Sequence, residues 1–291
     1  MKSLTIVPYY QDPNNWQIVS GADGASMESL GKGYARDKRR AYYAGVPLAG
    51  SHDESLTVLD GPYARDTQGV YCGAKVIQGA DPLTFRADAR HGSRYGWDAK
   101  RVYYASQASR SLSLLWDGAE TLPASAETFV VLSADRAKDA KHVWFGATKV
   151  DADPKSFVVL SDFYSMDRKT VFFGNEPGPA DASSFEVVPF SIQGQRTASF
   201  GRDARHVYYL STVIPHADPA TFVDLDGHYA KDKKAVYYRR QLLPEADRAS
   251  FELLDRPIFF PKVGNAIAQD ETHYYDVGAM GPIRWKKPPK E

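Results

Sequence analysis

Between Tyr229 and Tyr238 the chain reads Tyr-Ala-Lys-Asp-Lys-Lys-Ala-Val-Tyr-Tyr. Large and small, polar and apolar residues alternate up to Asp232, and a β-branched and aromatic run follows the charged Asp-Lys-Lys. Alternation places neighbouring side chains on opposite faces of a strand. An aspartate at such a tight bend can accept from backbone N–H groups two or three residues on. The pattern predicts a β-hairpin with Val236 and Tyr238 on one face of its return strand and Tyr237 on the other. Both faces are apolar and both need cover, which an isolated hairpin cannot provide.

The cover comes from repetition. The hairpin aspartate recurs as Asp37, Asp66, Asp98, Asp139, Asp167, Asp203 and Asp232, with an aromatic five residues after each (Tyr42, Tyr71, Tyr103, Trp144, Phe172, Tyr208, Tyr237). The next position is also aromatic, except that Cys72 takes it once. A second motif, Ala-Asp-Pro-x-Ser/Thr-Phe, is clearest at Ala80 to Phe85, Ala152 to Phe157 and Ala217 to Phe222. Its Phe follows the hairpin aspartate by 18 or 19 residues and heads a further apolar strand. Each repeat of about 30 residues therefore predicts three short strands. The expected fold is all-β: tandem three-stranded β-meanders in one curved or solenoid-like array. A β-propeller is the alternative, disfavoured because blades usually take four strands and about 40 residues.

The expected organisation is a partial repeat or cap over 1–32, seven repeats over 33–254, and a partial repeat with a tail over 255–291. Asp270 to Tyr275 is a hairpin one residue shorter than the rest. Three departures from the period stand out: an insertion over Ser106 to Glu120, a long link over Phe190 to Thr197, and a longer one over Asp255 to Ala268. Insertions in repeat proteins map to loops, which often bind.

The Tyr-Ala-x-Asp-x-x-x-Val-Tyr-Tyr unit, with its shorter copy at Asp270 to Tyr275, resembles the bacterial DKNYY repeat family from about Lys32 to Asp276. The chain departs from the name-giving motif in usually having one extra residue between Asp and the aromatics and no Asn before them. The resemblance implies a largely uncharacterised group whose members often act as partner-binding proteins, including proposed immunity proteins encoded beside secreted toxins. It carries no catalytic residues.

Composition narrows the chemistry. Lys plus Arg and Asp plus Glu are each 36, so net charge gives no argument for nucleic acid or an anionic membrane. One cysteine excludes an intramolecular disulfide framework. No run reaches the roughly 20 apolar residues of a membrane helix. The first residues make a poor signal peptide, so the expected location is cytoplasmic, or periplasmic or envelope-associated if a signal has been removed. His142 and His206 share a repeat position that elsewhere holds Arg, Thr or Ala, which reads as an exposed position at the head of the return strand. The hairpin aspartates stand alone among basic residues, which favours turn capping over calcium. No nucleophile with a base, phosphate loop or metal motif is present, so neither enzyme nor cofactor is expected. Basic residues gather at the hairpin turns and acidic ones at the second turns, which predicts a basic and an acidic rim.

The expected function is non-catalytic protein binding, most specifically by an immunity protein that neutralises a cognate toxin; the alternative is a structural or envelope-associated scaffold. Candidate partner contacts are Arg110, Leu114, Leu115 and Trp116 in the first insertion, Phe190 in the second, and Phe259 and Phe260 in the third. Trp and Arg are enriched at interface hot spots. The competing role for Trp116 is to cover a strand edge.

Overall fold

The computed structural model describes residues 9–12, 15–18, 21–51, 55–88, 92–107, 116–189, 199–260, 264–277 and 282–287. It comprises eight four-stranded antiparallel sheets in tandem, after a hairpin formed by Tyr9–Asp12 and Asn15–Ile18. The chain divides into two compact units, Met1–Lys155 and Ser156–Glu291, with four of these sheets in each. Among the described residues no helix is long and apolar enough to cross a membrane.

The all-β repeat expected from the pattern is present, with one strand more per sheet. In the seventh sheet Tyr229–Lys231 pairs with Val236–Tyr238 in the predicted hairpin, Tyr229 opposite Tyr238. The strand after Phe222, Val223–Asp224, joins the sheet of the hairpin that follows it, pairing with Tyr229–Lys231. The extra strand, Gln241–Leu242, returns through a two-residue turn and pairs with Tyr237 and Tyr238. The first residue of that turn takes a positive φ at Ala44, Gly73, Gly146, Gly174, Leu210 and Arg239. A two-residue turn with left-handed backbone matches the twist of the strands it joins. The strand count is that of a propeller blade, but the period of about 30 residues stays short of one.

Within each unit the hydrophobic core lies between successive sheets. In the seventh sheet Tyr237 packs with Phe200 and Val207 from the sheet before it and with Phe222, which leads into its own first strand. Tyr229, Val236 and Tyr238 pack with Phe251, Ala268 and Tyr275 toward the sheet after it. The second sheet divides its return strand the same way, Tyr71 toward the first sheet and Val70 and Cys72 toward the third. Each tyrosine-rich strand is thus buried on both faces, as its two-sided apolar pattern demands. Cys72 is fully buried. Its thiol donates to Gly118 O at 3.1 Å, and burial pushes it up to about 12. It is a packing residue, not a nucleophile.

In five hairpins the opening residue is a tyrosine that ties its sheet to the next. The Tyr34 hydroxyl donates to Pro62 O at 2.8 Å, Tyr63 to Arg94 O at 2.6 Å, Tyr95 to Gly146 O at 2.9 Å, Tyr164 to Leu210 O at 3.0 Å and Tyr229 to Asp276 O at 2.9 Å. A buried tyrosine needs a partner for its hydroxyl, and the neighbouring turn supplies a carbonyl.

The final sheet is longer than the rest. Its first strand, Glu252–Phe260, spans nine residues where its counterparts in the second to seventh sheets span two, and it pairs with Gly264–Gln269. His273–Val277 and Pro282–Lys286 complete it. The segment expected to be a partial repeat is therefore a full four-stranded sheet, and the long link before Asp270 is its leading hairpin.

Candidate interaction surface

The polar residues of the repeat are bound up in structure. Asp232 is 1% exposed. Its Oδ1 accepts from the N–H groups of Lys234 at 2.7 Å and Ala235 at 2.9 Å. Its Oδ2 accepts from the Tyr237 hydroxyl at 2.9 Å and from the N–H of Asp218 in the preceding second motif at 2.7 Å. Thr221 of that motif completes the lock: its Oγ1 accepts the Lys233 N–H at 3.0 Å and its hydroxyl donates to Asp218 Oδ2 at 2.7 Å. The same web surrounds Asp37, Asp98 and Asp203. Burial alone would raise these carboxyls. The N–H groups and hydroxyl aimed at the charged form outweigh it, so Asp98, Asp203 and Asp232 lie below the usual carboxylate range and Asp37 and Asp270 fall to about 2. Turn capping is what these aspartates do. Among the described residues no group of three or more His, Cys, Asp or Glu could hold a metal ion.

Basic hairpin turns and acidic second turns, expected from the sequence to form separate rims, pair directly in each unit. Lys38 Nζ lies 2.7 Å from Asp23 Oδ2 and Lys233 Nζ 3.0 Å from Asp218 Oδ2, each pairing a hairpin turn with the second turn before it. The basic residue just before the hairpin aspartate reaches a neighbouring turn: Arg65 Nη1 donates to Pro82 O at 2.7 Å, Lys138 Nζ to Pro154 O at 2.9 Å and Arg202 Nη1 to Pro219 O at 2.8 Å. Part of the charge on the two sets of turns is thereby paired within the fold.

Of the histidines at this position His206 is exposed, as expected, while His142 and His273 are partly buried. Nδ1 of His142, His206 and His273 lies 3.5, 3.7 and 3.8 Å from Oδ1 of the hairpin aspartate three residues before it. His216 sits in an exposed turn with φ 64.

Of the residues expected to contact a partner, Arg110, Leu114, Leu115 and Phe190 lie outside the described residues. Trp116 opens the fourth strand of the third sheet, Trp116–Leu122, which the first insertion leads into. Its ring is half-buried against the core clusters on both sides of the second sheet, with the Arg94 guanidinium 5.4 Å above it. Its backbone N–H donates to the Tyr43 hydroxyl at 3.3 Å. Gly73, with φ 61, fits beneath because a Cβ there would lie 2.2 Å from Trp116 O. Trp116 thus packs on the second sheet. Phe259 lies on the long first strand of the eighth sheet and is 69% exposed, beside Ile258 at 39%. Phe260 ends the same strand.

Two residues escaped the sequence reading. Asp224 replaces an apolar residue at the second position after the motif Phe, and Arg239 takes the left-handed turn position held elsewhere by Ala, Gly or Leu. Setting the repeats side by side, position by position, would have exposed both.

An array of small sheets that hide one another's tyrosines, with polar groups spent on turns and ties, defines a β-repeat protein. The chain belongs to the DKNYY family, whose model matches residues 47–107 and 124–278. The break between the two matched stretches falls at the first insertion. No curated protein and no solved structure matched the chain.

Proposed function

We propose that this chain is a non-catalytic binding protein, and specifically an immunity protein that covers the active site of a secreted bacterial toxin. The observation that carries the reading is Phe259, 69% exposed on an edge strand of nine residues that outruns its repeat counterparts. Ile258, next to it on the same strand, and Ile283 on the opposite edge strand, 47% exposed, are further exposed apolar residues of this sheet. Exposed aromatic and aliphatic side chains grouped on one element favour a macromolecular partner. An unpaired strand edge adds backbone groups that an extended segment can pair with. The repeat's aspartates, tyrosines and many of its basic residues already serve turns and inter-sheet ties, which supports binding over catalysis. On this reading the protein works in the cytoplasm, where a toxin delivered into the cell would act.

The test is a photo-reactive amino acid at position 259 of the full chain, expressed in the bacterium that encodes it. The expected result is a cross-link to one protein that is toxic when expressed alone and harmless when this chain is present. Phe259→Asp should abolish protection with an unchanged thermal melt. Absence of a cross-link dependent on position 259, or a cross-linked protein that is harmless alone, rejects the proposal.

A further inference from the structure

Two residues after the motif Phe, or the Leu56 that replaces it, the chain places Val58, Ala87, Val131, Val159, Val187, Asp224 and Leu253. Only the seventh sheet puts a carboxyl there. Asp224 lies opposite Ala230 in the pairing of Val223–Asp224 with Tyr229–Lys231, and it is 7% exposed. Its Oδ1 accepts the Gly227 N–H at 2.7 Å. Its Oδ2 is buried with no hydrogen-bond partner. An unpaired carboxylate oxygen in that position is costly when charged and tolerable when protonated.

The charged and titratable groups around it come from three places. On its own turn is Asp226, whose Oδ1 accepts the His228 N–H at 2.8 Å and the Tyr229 N–H. From the sixth sheet comes Tyr209, which senses both carboxyls and Arg239. From the turn after Tyr238 comes Arg239, its guanidinium 5.2 Å over the Tyr238 ring and its Nε buried without a partner. His228 stacks on Tyr238 at 6.3 Å. The Arg239 guanidinium thus lies over the Tyr238 ring and makes no hydrogen bond to Asp224 Oδ2. Burial is the main influence on the Asp224 carboxyl; the Gly227 N–H and, more weakly, the Asp226 N–H oppose it and the Asp226 charge adds to it, leaving the group raised to about 7.

We propose that Asp224 is a proton-operated latch in the second unit: neutral, it keeps the 223–229 turn packed against Tyr209; ionised, it opens the turn and moves to water. The closed state holds a proton that the open state releases, so closure is favoured at low pH and weakens as pH rises through about 7. Tyr229 ends this segment, and its hydroxyl donates to Asp276 O in the eighth sheet. Opening therefore loosens the joint between the seventh and eighth sheets.

The test is hydrogen exchange of the full chain at pH 5.5 and pH 8.5, corrected for the intrinsic pH dependence of exchange. The reporting amides are Leu225, bonded to Tyr229 O, and Arg239, bonded to His228 O. The control is the Leu160 amide, which makes the same bond to Tyr164 O in the fifth sheet, where Val159 stands in place of Asp224. Protection at Leu225 and Arg239 should fall by about 30-fold between the two pH values, as a closed-state carboxyl near 7 requires, with Leu160 unchanged. Asp224→Asn should abolish the dependence, and Asp224→Val, the side chain of sister repeats, should do the same if the asparagine variant folds poorly. Asp226→Asn should retain it. Protection in the wild type that does not vary with pH, or a dependence that survives replacement of Asp224 or vanishes only with Asp226, overturns the latch.

Discussion

Replacing Asp232 by Asn tests whether the hairpin aspartate is the joint on which successive repeats lock. An asparagine has the same shape but one oxygen fewer. If its oxygen keeps the Lys234 and Ala235 N–H groups, its amide faces two donors, the Tyr237 hydroxyl and the Asp218 N–H, now 2.9 and 2.7 Å away. The flipped amide only moves the conflict to the turn. Each bond to a charged acceptor is worth about 1.5–3 kcal/mol, and Tyr237 is only 1% exposed. The expected cost is about 3–5 kcal/mol, read by urea unfolding of the full chain. The sharper measurement is a cycle with Tyr237→Phe, which removes one of the two stranded donors. In the Asp232→Asn background Tyr237→Phe should cost at least about 1 kcal/mol less than in the wild type. An Asp232→Asn cost below about 1 kcal/mol, or additivity within about 0.5 kcal/mol, refutes the lock.

Further outcomes follow from the same contacts. The hairpin aspartates are held below their unfolded range, so their stabilisation is complete above about pH 4 and disappears as pH falls toward 2; circular dichroism should show acid unfolding there, and a chain unmoved at pH 2 contradicts the assignment. Gly201→Ala should cost about 1–3 kcal/mol although Ala35, Ala64, Ala137 and Ala230 occupy its repeat position, because the new Cβ would lie 2.6 Å from Phe185; wild-type stability in the variant would show that Phe185 yields freely. Phe222→Ala and Tyr237→Ala should each cost about 3–5 kcal/mol and Tyr237→Phe clearly less, since the ring fills the space between the sixth and seventh sheets; an unchanged thermal melt for both alanine variants removes the core assignment.

The hairpin was legible because its signal is local: alternation, an Asp at the bend, then a β-branched and aromatic strand. The stacking of sheets was legible too, since Val236, Tyr237 and Tyr238 in succession need cover on both faces. The fourth strand was not. It is usually two or three residues long, follows a two-residue turn, and in Val46–Pro47 or Glu176–Pro177 contains a proline that single-strand reasoning takes as a break. At an outer edge such a proline loses no ladder bond. The pairing of basic hairpin turns with acidic second turns was also hidden, because it depends on the strand after each Phe joining the next hairpin's sheet. That register brings Asp218 beside Lys233, and no periodicity in the chain states it. By residue type alone Trp116 looks like a partner contact, whereas its packing on both sides of the second sheet emerges only in three dimensions.

These observations change where function should be sought in such a protein. A position that recurs through the repeats plays a structural part: the aspartate caps, the tyrosines fill and tie, the basic residue before the aspartate reaches the next turn. Selection on a binding surface acts on what the stacking leaves free, and that is where repeats differ from one another. Phe259 extends a strand that ends after two residues in the second to seventh sheets. Asp224 and Arg239 put opposite charges where sister repeats are apolar or small, and both sit near Tyr209 in one joint. Asp224 cannot improve packing there: a buried carboxyl with one oxygen unpaired costs stability that the valine of other repeats would return. Its retention makes physical sense if that joint has to yield, and the eighth sheet, carrying Phe259, is the part held by it.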